Sequence, residues 1–296
     1  MRDLDIVIVN YNTRDLLRAC LRSVYASTGD LDLLVYVVDN ASQDGSVEMV
    51  RQEYPQARVI ANAANVGYAA ANNIALREMD ARHALLLNSD TLLPPEALRQ
   101  ALDFMTAHPD TGIMGPKLVR PDGSLDLACR RSFPTPGVAF ARLFGLSKLF
   151  PNDPRFTRYN LSTVDPDLLL EVDAVVGAFM LIRREVIEQI CLLDETFFAF
   201  GEDLDFCYRA KVHRGWKVFY NPAITVLHYK GESMKQRSYA MTIQFYRAMW
   251  LFHRKHFARQ TFFLFNGLIA LGIAALCGIA LLKNLLRPAG RKKAGM

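Results

Sequence analysis

Short apolar runs rich in β-branched residues alternate with amphipathic stretches through the first third of the chain. The runs predict strands at residues 6–9, 33–38, 58–61 and 84–88. The stretches between them predict helices at residues 14–26, 46–54 and 68–78, with Thr13 as a cap for the first. Strands separated by single helices form βαβ units, so we expect an α/β fold with a parallel sheet.

Polar side chains follow each of these four runs. In a parallel sheet the ligand lies beyond the carboxyl ends of the strands. We therefore expect one polar rim that binds a ligand. Its members are Asn10, Tyr11, Asn12, Asp39, Asn40, Ser42, Asn62, Asn65, Asn88, Ser89 and Asp90.

The periodicity loosens after Pro95, where it predicts a helix to about residue 108, an apolar run at 112–118 and a turn at 121–123. Residues 127–167 are rich in proline and lack a period, so we interpret them as an irregular, flexible loop over the substrate. Two short strands and a helix are predicted within residues 171–190. Residues 197–216 then place acidic side chains at the start of another helix.

Two residues on this framework are candidate ligands for a divalent metal ion. Asp90 follows the fourth predicted strand, where a carboxylate can hold Mg²⁺ or Mn²⁺ while diphosphate oxygens complete the coordination. Its alternative role is to cap the helix that starts near Pro94. His228 follows a later predicted strand, and its imidazole can complete the metal site, although a lone histidine is more often structural.

Three carboxylates occur within four residues, at Glu202, Asp203 and Asp205. Crowding of this kind raises the pKa of at least one carboxyl group, as a general base requires. One of them is therefore a candidate to deprotonate an acceptor hydroxyl. The alternative is that they stabilise the positive end of the helix that continues through Cys207.

Two rim residues are placed to bind a nucleotide. Asp39 can accept hydrogen bonds from a base or a ribose, and Gly67 opens a helix whose amino end can face a phosphate. Neither segment is a G-x-G-x-x-G fingerprint or a P-loop, so redox dinucleotides and ATP hydrolysis are disfavoured.

The charged side chains in the C-terminal part of the chain are all basic. Residues 233–296 contain eleven Lys or Arg and no Asp or Glu, whereas the whole chain has a net charge of +5. Such a segment is attracted to nucleic acid or to an anionic membrane. Residues 261–282 carry no charge and are long enough to enter about 30 Å of hydrocarbon as a helix, which favours the membrane. A spanning helix, a re-entrant or interfacial helix and a buried core helix all stay open, because basic residues flank this segment on both sides.

The five cysteines are odd in number, widely spaced and form no CxxC pair. They predict reduced thiols rather than a disulfide framework or a zinc site. The N-terminal sequence enters the first strand directly and shows no cleavable signal. We therefore expect the catalytic part to lie on the cytoplasmic side of the cell membrane.

Seven blocks, in this order, resemble the family 2 glycosyltransferases, and especially their rhamnosyltransferase-like branch. They are VNYN (9–12), VVDNASQDGS (37–46), NVGYAAANN (65–73), LLLNSDT (85–91), GAFMLIRRE (177–185), LDETFFAFGEDLDFCYRA (193–210) and HYKGES (228–233). The resemblance implies a GT-A fold over residues 1–235, which is a Rossmann-like α/β sandwich with a mostly parallel central sheet. A helical membrane-associating region at 236–296 is expected to follow it.

The resemblance also implies roles for individual residues. Asn88, Ser89 and Asp90 stand where the family has its DxD metal motif, and Asp90 must carry most of the metal binding because the first acidic position is Asn. Asp203 matches the catalytic base, and His228 matches a histidine that some relatives use as a metal ligand. The implied donor-binding residues are Val9, Tyr11, Asn12, Asp39, Asn65, Gly67, Asn88, Ser89 and Asp90, and the implied acceptor-side residues are Gly177, Glu202 and Asp205.

The implied reaction is an inverting transfer of a sugar from a nucleotide diphosphate to a hydroxyl, with Mg²⁺ or Mn²⁺. By resemblance the donor is dTDP-rhamnose, and the apolar, basic C-terminus suits an acceptor on a polyprenyl diphosphate in cell-envelope polysaccharide synthesis. A sugar nucleotidyltransferase is disfavoured because residues 10–13 do not form a Gly-rich basic loop. A non-catalytic sugar-binding scaffold is disfavoured because Asp90, Asp203 and His228 are all present.

Overall fold

The computed structural model describes residues 1–143, 145–230 and 238–286. Within these ranges the strands are β1 (Arg2–Asn10), β2 (Leu33–Asp39), β3 (Arg58–Ala61), β4 (Ala81–Asn88), β5 (Thr91–Leu92), β6 (Thr111–Val119), β7 (Leu170–Glu171), β8 (Phe179–Arg183) and β9 (Lys217–His228). The helices are α1 (Arg14–Ala26), α2 (Ser46–Glu53), α3 (Tyr68–Leu76), α4 (Ala97–Ala107), α5 (Pro136–Leu143), α6 (Leu146–Leu149), α7 (Pro154–Thr157), α8 (Arg184–Ile190), α9 (Glu202–Tyr208), α10 (Ser238–His256) and α11 (Phe263–Leu285). The strands form one sheet in the order β3-β2-β1-β4-β8-β6-β9-β5, with β7 beside β9.

The first half of the sheet is parallel, as the alternation of apolar runs and helices predicts. β1 lies between β2 and β4, and β3 pairs with β2, all in parallel. The register sets Asn10 beside Asp39 and Val9 beside Asn88, so the carboxyl ends of these strands form one edge. The predicted elements are confirmed, although β1 and β4 begin earlier, and α2 and α3 end earlier, than predicted.

The core lies between this sheet and the helices that cover it. Ile6 on β1 and Leu87 on β4 are fully buried. Strands that are covered on both faces carry continuous apolar runs rather than an alternating pattern. α1 buries one face, at the spacing that an amphipathic helix requires, namely Leu17, Cys20, Leu21 and Val24.

The second half of the sheet is mixed. β8 runs antiparallel to β4 and β6, whereas β6 and β9 are parallel. β5 comes directly after Asp90 and pairs with the end of β9, where Thr91 lies opposite His228. This short antiparallel pair brings together two regions that are far apart in the sequence. The helix predicted after Pro95 begins at Ala97, as α4.

Residues 127–167 are not the irregular segment that their proline content predicts. They contain α5, α6, α7 and two short 3-10 turns, apart from residue 144, which lies outside the described residues. A proline occupies the first turn of α5 and of α7, where the missing N–H costs no hydrogen bond. The expected movement of this segment over a substrate stays a prediction. Of the elements predicted at 171–190, the helix is confirmed as α8 and one strand as β8, whereas β7 reaches into this range only at Glu171.

α10 and α11 form a helical hairpin after the sheet. Ala248 and Phe252 of α10 belong to the main core, and Phe252 is 2% exposed. Among the described helices, α11 is the one that is long and apolar enough to cross a membrane, yet only 6% of its most apolar stretch is buried within the protein. This exposure argues against the buried core helix. The predicted boundary at 235/236 falls outside the described residues, as does the GES end of the last sequence block.

Candidate active site

A cavity of about 540 Å³ opens at the carboxyl ends of β1 and β4 and extends to the start of α9 and to α10. This volume is typical of small-ligand sites. The predicted site residues that line the cavity are Val9, Tyr11, Asn65, Gly67, Asn88, Ser89, Asp90, Gly177, Glu202, Asp203 and His228. Three further predicted residues, Asn12, Asp39 and Asp205, do not line it.

Asp39 and Asn12 hold the rim of the cavity together. Asp39 is 1% exposed, and its carboxylate accepts hydrogen bonds from Asn10 Nδ2 at 2.9 Å and from the Ser42 N–H at 2.7 Å. Asn12 donates its N–H to Ser42 Oγ at 2.8 Å, and its Oδ1 accepts from the Gln43 N–H at 2.7 Å. These bonds connect the loops after β1 and β2. Direct contact of Asp39 or Asn12 with a nucleotide stays a prediction.

Gly67 immediately precedes α3 in a conformation that is essentially restricted to glycine, with φ 88° and ψ 171°. A Cβ atom at this position would lie 2.5 Å from the Phe198 carbonyl oxygen. The N–H groups of Gly67, which precedes α3, and of Tyr68, its first residue, are engaged within the protein: Gly67 donates to Asn65 Oδ1 at 3.0 Å, and Tyr68 donates to the Phe198 carbonyl at 2.7 Å. A phosphate at this helix end would therefore need other donors.

The two predicted metal ligands lie next to each other because β5 pairs with β9. Asp90 Oδ1 is 3.3 Å from His228 Nε2, and both side chains are nearly buried. On the other side of the ring, Nδ1 lies 3.0 Å from Asp126 Oδ2. Asp126 is fully buried and also accepts a hydrogen bond from the Lys230 ammonium group. The sequence analysis missed Asp126 because no motif or spacing connects it to His228.

The carboxylates around His228 favour positive charge in this corner of the cavity. Burial lowers the pKa of His228, but Asp126 and Asp90 outweigh burial and raise the pKa to about 9. Burial likewise raises the pKa of Asp126, but His228 and Lys230 hold that pKa well below its usual range. The carboxylates of Asp90 and Asp126, on either side of the His228 ring, therefore stabilise a positive charge between them.

The Asp90 and His228 side chains fit the divalent metal ion that the family resemblance implies. His228 Nε2 is buried, forms no hydrogen bond with the described residues and faces a carboxylate oxygen at 3.3 Å. Once a metal ion displaces the Nε2 proton, the pair offers nitrogen and oxygen donors. Asp126 contacts the other ring nitrogen, as a carboxylate commonly does behind a metal-bound histidine. Among the residues that the structure describes, no group of three or more His, Cys, Asp or Glu side chains could hold a metal. Oxygens of a bound ligand would therefore complete the coordination.

Asp203 lies in another part of the cavity wall, where three donors fix its carboxylate. Oδ2 accepts from Arg131 Nη2 at 2.7 Å and from the Gly177 N–H at 3.2 Å, and Oδ1 accepts from the Leu204 N–H at 2.7 Å. Arg131 also donates to the Val175 carbonyl at 2.6 Å. Burial lowers the pKa of Arg131, but Asp203 raises it above its ordinary value. Each carboxylate oxygen has two lone pairs, so Oδ1 can accept a further hydrogen bond from a ligand.

The sequence analysis missed Arg131 because it lies in the segment that was interpreted as an irregular loop. Its backbone is instead tied to the sheet region by a bridge with Ala174. The Arg131 guanidinium is buried against Asp203, and only 8% of its side chain is exposed. An arginine within a proline-rich segment gives no signal in the sequence that it reaches the cavity.

Glu202 and Asp205 flank Asp203 but have different surroundings. Glu202 lines the cavity, its buried Oε2 has no hydrogen-bond partner within the described ranges, and burial together with Asp203 raises its pKa to about 8. Asp205 lies 2.8 Å from His256 and 2.8 Å from Arg209, and these partners lower its pKa to about 2 although burial acts in the opposite direction. One carboxyl pKa is thus raised, as expected, but its main cause is burial, and crowding by Asp203 adds to it. Asp205 instead connects α9 to α10, and its expected contact with an acceptor has no support in this position.

Comparison with known proteins identifies relatives of the chain. The sequence model of the family described as "Glycosyltransferase like family 2" matches residues 2–246. The N-acetylglucosaminyl-diphospho-decaprenol L-rhamnosyltransferase of Mycobacterium tuberculosis is 28% identical over 242 residues, which are 78% of this chain and 77% of the relative. The low-salt glycan biosynthesis hexosyltransferase Agl10 of Haloferax volcanii is 30% identical over 217 residues, which are 71% of this chain and 62% of that protein.

The fold is also found in solved structures. A mannosyltransferase from Pyrobaculum calidifontis, in complex with GDP-mannose and Mn²⁺, matches with a TM-score of 0.57 and 18% identity over 98% of this chain and 79% of that one. At this identity the likeness shows the fold alone. It confirms the predicted GT-A α/β architecture, and the family match confirms the resemblance that the seven sequence blocks indicate.

Proposed function

This chain belongs to glycosyltransferase family 2, and we propose that it transfers a sugar from a nucleotide diphosphate to a hydroxyl group of a lipid-linked saccharide. The observation that carries the proposal is the single cavity, whose wall contains both the fixed carboxylate of Asp203 and the Asp90–His228 pair. A donor between these groups would have its diphosphate at the pair and its sugar toward the carboxylate. One cavity can therefore hold the leaving group and the proton acceptor of the same reaction.

The donor nucleotide would lie across the ends of the parallel strands. Val9, Tyr11 and Asn65 line this part of the cavity, where a base and a ribose would contact them. Asp90 and His228 would hold the divalent metal ion together with the diphosphate. When bound, this ion supplies positive charge that stabilises the departing nucleoside diphosphate.

Asp203 is the proposed general base. Arg131 and the Gly177 N–H hold Oδ2, and Oδ1 is left to accept the proton of the acceptor hydroxyl as its oxygen attacks the anomeric carbon. Attack opposite the departing diphosphate breaks the sugar–phosphate bond in the same step and inverts the anomeric centre. One base is sufficient for this reaction, and no covalent sugar intermediate is needed.

The proposed donor is dTDP-rhamnose, and the proposed acceptor is a saccharide on a polyprenyl diphosphate in cell-envelope polysaccharide synthesis. The name of the Mycobacterium tuberculosis relative contains both an L-rhamnosyl group and a diphospho-decaprenol acceptor, which supports this choice. The exposed apolar α11 and the basic C-terminal region support an acceptor at a membrane. We propose the cytoplasmic face of the cell membrane as the location.

The test is a donor and acceptor screen with purified protein. Nucleotide sugars would be incubated with Mn²⁺ or Mg²⁺, with and without N-acetylglucosaminyl diphosphate on a polyprenyl chain, and release of nucleoside diphosphate would be measured. We expect acceptor-dependent release from one donor, loss of release with EDTA or in Asp203→Asn, and normal release in Asp103→Asn, a matched change at an exposed position on α4. Absence of release from every donor in folded protein would contradict the proposal.

A further inference from the structure

α11 packs along α10, and side-chain hydrogen bonds connect the two helices near both ends of α11. Asn266 Oδ1 lies 2.7 Å from His253 Nε2, and Asn284 Nδ2 donates to Thr242 Oγ1 at 3.3 Å. Both members of the second pair are nearly or fully buried. The two helices therefore form one unit, and α11 does not extend away from the catalytic part of the protein.

α10 is itself fixed to the catalytic part. His256 lies 2.8 Å from Asp205 of α9, and Lys255 forms a 2.6 Å ion pair with Asp194. Arg247, in the middle of α10, is exposed. If α11 crossed a bilayer, α10 and the charge of Arg247 would enter hydrocarbon with it, which is strongly unfavourable. The packing therefore favours an α11 that lies flat in the plane of one leaflet.

The outward face of α11 consists of large apolar side chains. Leu264, Leu271 and Leu282 lie on the same side of the helix by their spacing, and they are 58%, 68% and 58% exposed. A soluble protein rarely leaves such a continuous apolar face in water. Residues 233–296 carry eleven Lys or Arg and no Asp or Glu, which matches an anionic lipid surface.

The inward face of α11 lines the same cavity that contains the catalytic carboxylate. Ile269 and Ile273, one turn apart, line it. Met241, Phe245 and Met249, spaced four residues apart on α10, line it as well, and we call the part of the cavity lined by these five apolar side chains its apolar arm. Walls of this kind offer no hydrogen bonds to a sugar or a phosphate, but they favour a flexible hydrocarbon chain.

We propose that this apolar arm is a binding subsite for the first part of the acceptor's lipid tail, which enters it sideways from a leaflet in which α11 lies flat. A tail held there would direct its diphosphate and sugar from the membrane surface into the cavity. The inference rests on the proposed function for the identity of the acceptor. The subsite itself is a property of α10 and α11 that can be measured without sugar transfer.

The first test measures binding and transfer separately in detergent micelles, where membrane docking plays no part. The probes are a fluorescent polyprenyl diphosphate for binding, and N-acetylglucosaminyl diphosphate on either a polyprenyl or an ethyl group for transfer. We expect Met249→Gln and Ile269→Gln to weaken polyprenyl diphosphate binding roughly tenfold, since a lost apolar contact of this size is worth about that factor. The KM for the polyprenyl acceptor should rise with it, and the KM for the ethyl acceptor should not change.

Leu268→Gln is the matched control, because this neighbouring residue is 63% exposed and does not line the cavity. It should leave detergent binding unchanged and reduce only binding to anionic vesicles. If the Gln variants fold poorly, Met249→Phe and Ile269→Phe narrow the same arm without adding a polar group and should also weaken tail binding. Unchanged polyprenyl diphosphate binding in the folded inner-face variants would overturn the proposal. Tail binding that depends on these residues in a protein that transfers no sugar would support the subsite and refute the proposed function.

The second test measures the depth of α11 in anionic vesicles. Spin labels would be attached at Leu264→Cys, Leu271→Cys and Leu282→Cys, one at a time, after replacement of Cys191 and Cys277, the native cysteines that are not buried. A helix that lies flat predicts the same shallow depth for all three labels. A deep central label between two shallow ends would indicate a spanning helix and overturn the proposal, as would labels covered by a second copy of the chain instead of lipid.

Discussion

The ion pair between Arg131 and Asp203 provides the sharpest test of the cavity's architecture. Arg131→Met keeps a side chain of similar reach but removes the charge. It leaves the Asp203 carboxylate, whose side chain is 7% exposed, without its counterion. Removing one partner of a buried ion pair typically costs about 3–5 kcal/mol, because the remaining charge is neither solvated nor paired.

The double variant separates this electrostatic effect from simple loss of packing. With Asp203→Asn no carboxylate remains, so Arg131→Met should then cost only about 1 kcal/mol, mainly from the lost bond to the Val175 carbonyl. The two changes should therefore be coupled by about 2–4 kcal/mol. Equilibrium urea unfolding of the wild type, both single variants and the double variant measures this coupling.

Arg130→Met is the matched control. Arg130 is buried next to Arg131, but its guanidinium donates to the carbonyls of Asp165 at 2.8 Å and Val164 at 2.6 Å. Its replacement should also destabilise the protein, yet the effect should add to that of Asp203→Asn within about 0.5 kcal/mol. Additivity for Arg131 as well as Arg130 would refute the assignment of Arg131 as the group that holds the base.

Three further predictions concern other parts of the cavity. Burial raises the pKa of Glu202 to about 8 from the 4.5 of an exposed carboxyl, so the folded state keeps a proton that the unfolded chain releases. The free energy of unfolding should therefore fall as the pH rises from about 5 to 8. In urea titrations at several pH values, Glu202→Gln should make this dependence on pH weaker. Gly67→Ala should lower the free energy of unfolding by about 1–3 kcal/mol through backbone strain, and the clash with the Phe198 carbonyl should lower it further. Gly123→Ala is the control: this glycine has φ 79° and open space around it, so its replacement should show the effect of strain alone. Asp126→Asn should weaken Mn²⁺ binding in the presence of donor nucleotide roughly 10–100-fold by calorimetry, and an unchanged affinity would contradict its role in orienting the metal ligand.

The parallel half of the fold could be predicted because local sequence determines it. Each apolar run in this half is a strand: β1, β2 and β4 are largely buried, whereas the four residues of the edge strand β3 are at least partly exposed. The amphipathic stretches between the runs cover the sheet, so periodicity locates the elements. The polar residues that follow the runs then converge on one edge because parallel strands share a direction. Asp39 shows the limit of this reasoning, since position after a strand does not reveal whether a side chain faces the ligand or lies beneath the rim.

The second half depends on contacts that no local pattern contains. The two-residue strand β5 has no periodicity, yet its pairing with β9 sets Asp90 beside His228. Arg131 reaches the cavity through tertiary packing of a segment whose prolines indicate a loop. Asp126, just before that segment, also lines the cavity, but no motif or spacing connects it to His228. The length and composition of α11 predict that it associates with a membrane. Whether it spans the bilayer or lies in its plane can be argued only from its packing against α10.

The stereochemistry of the product tests the central claim most directly, because the proposed reaction uses one base and one displacement. Product from the active donor and the polyprenyl-linked acceptor would be isolated, its mass determined, and the configuration of the new glycosidic bond assigned by NMR. The account predicts one added sugar with the anomeric configuration opposite to that in the donor, and no such product from Asp203→Asn. A product that retains the donor's configuration, or that forms at the wild-type rate without the Asp203 carboxylate, would contradict it.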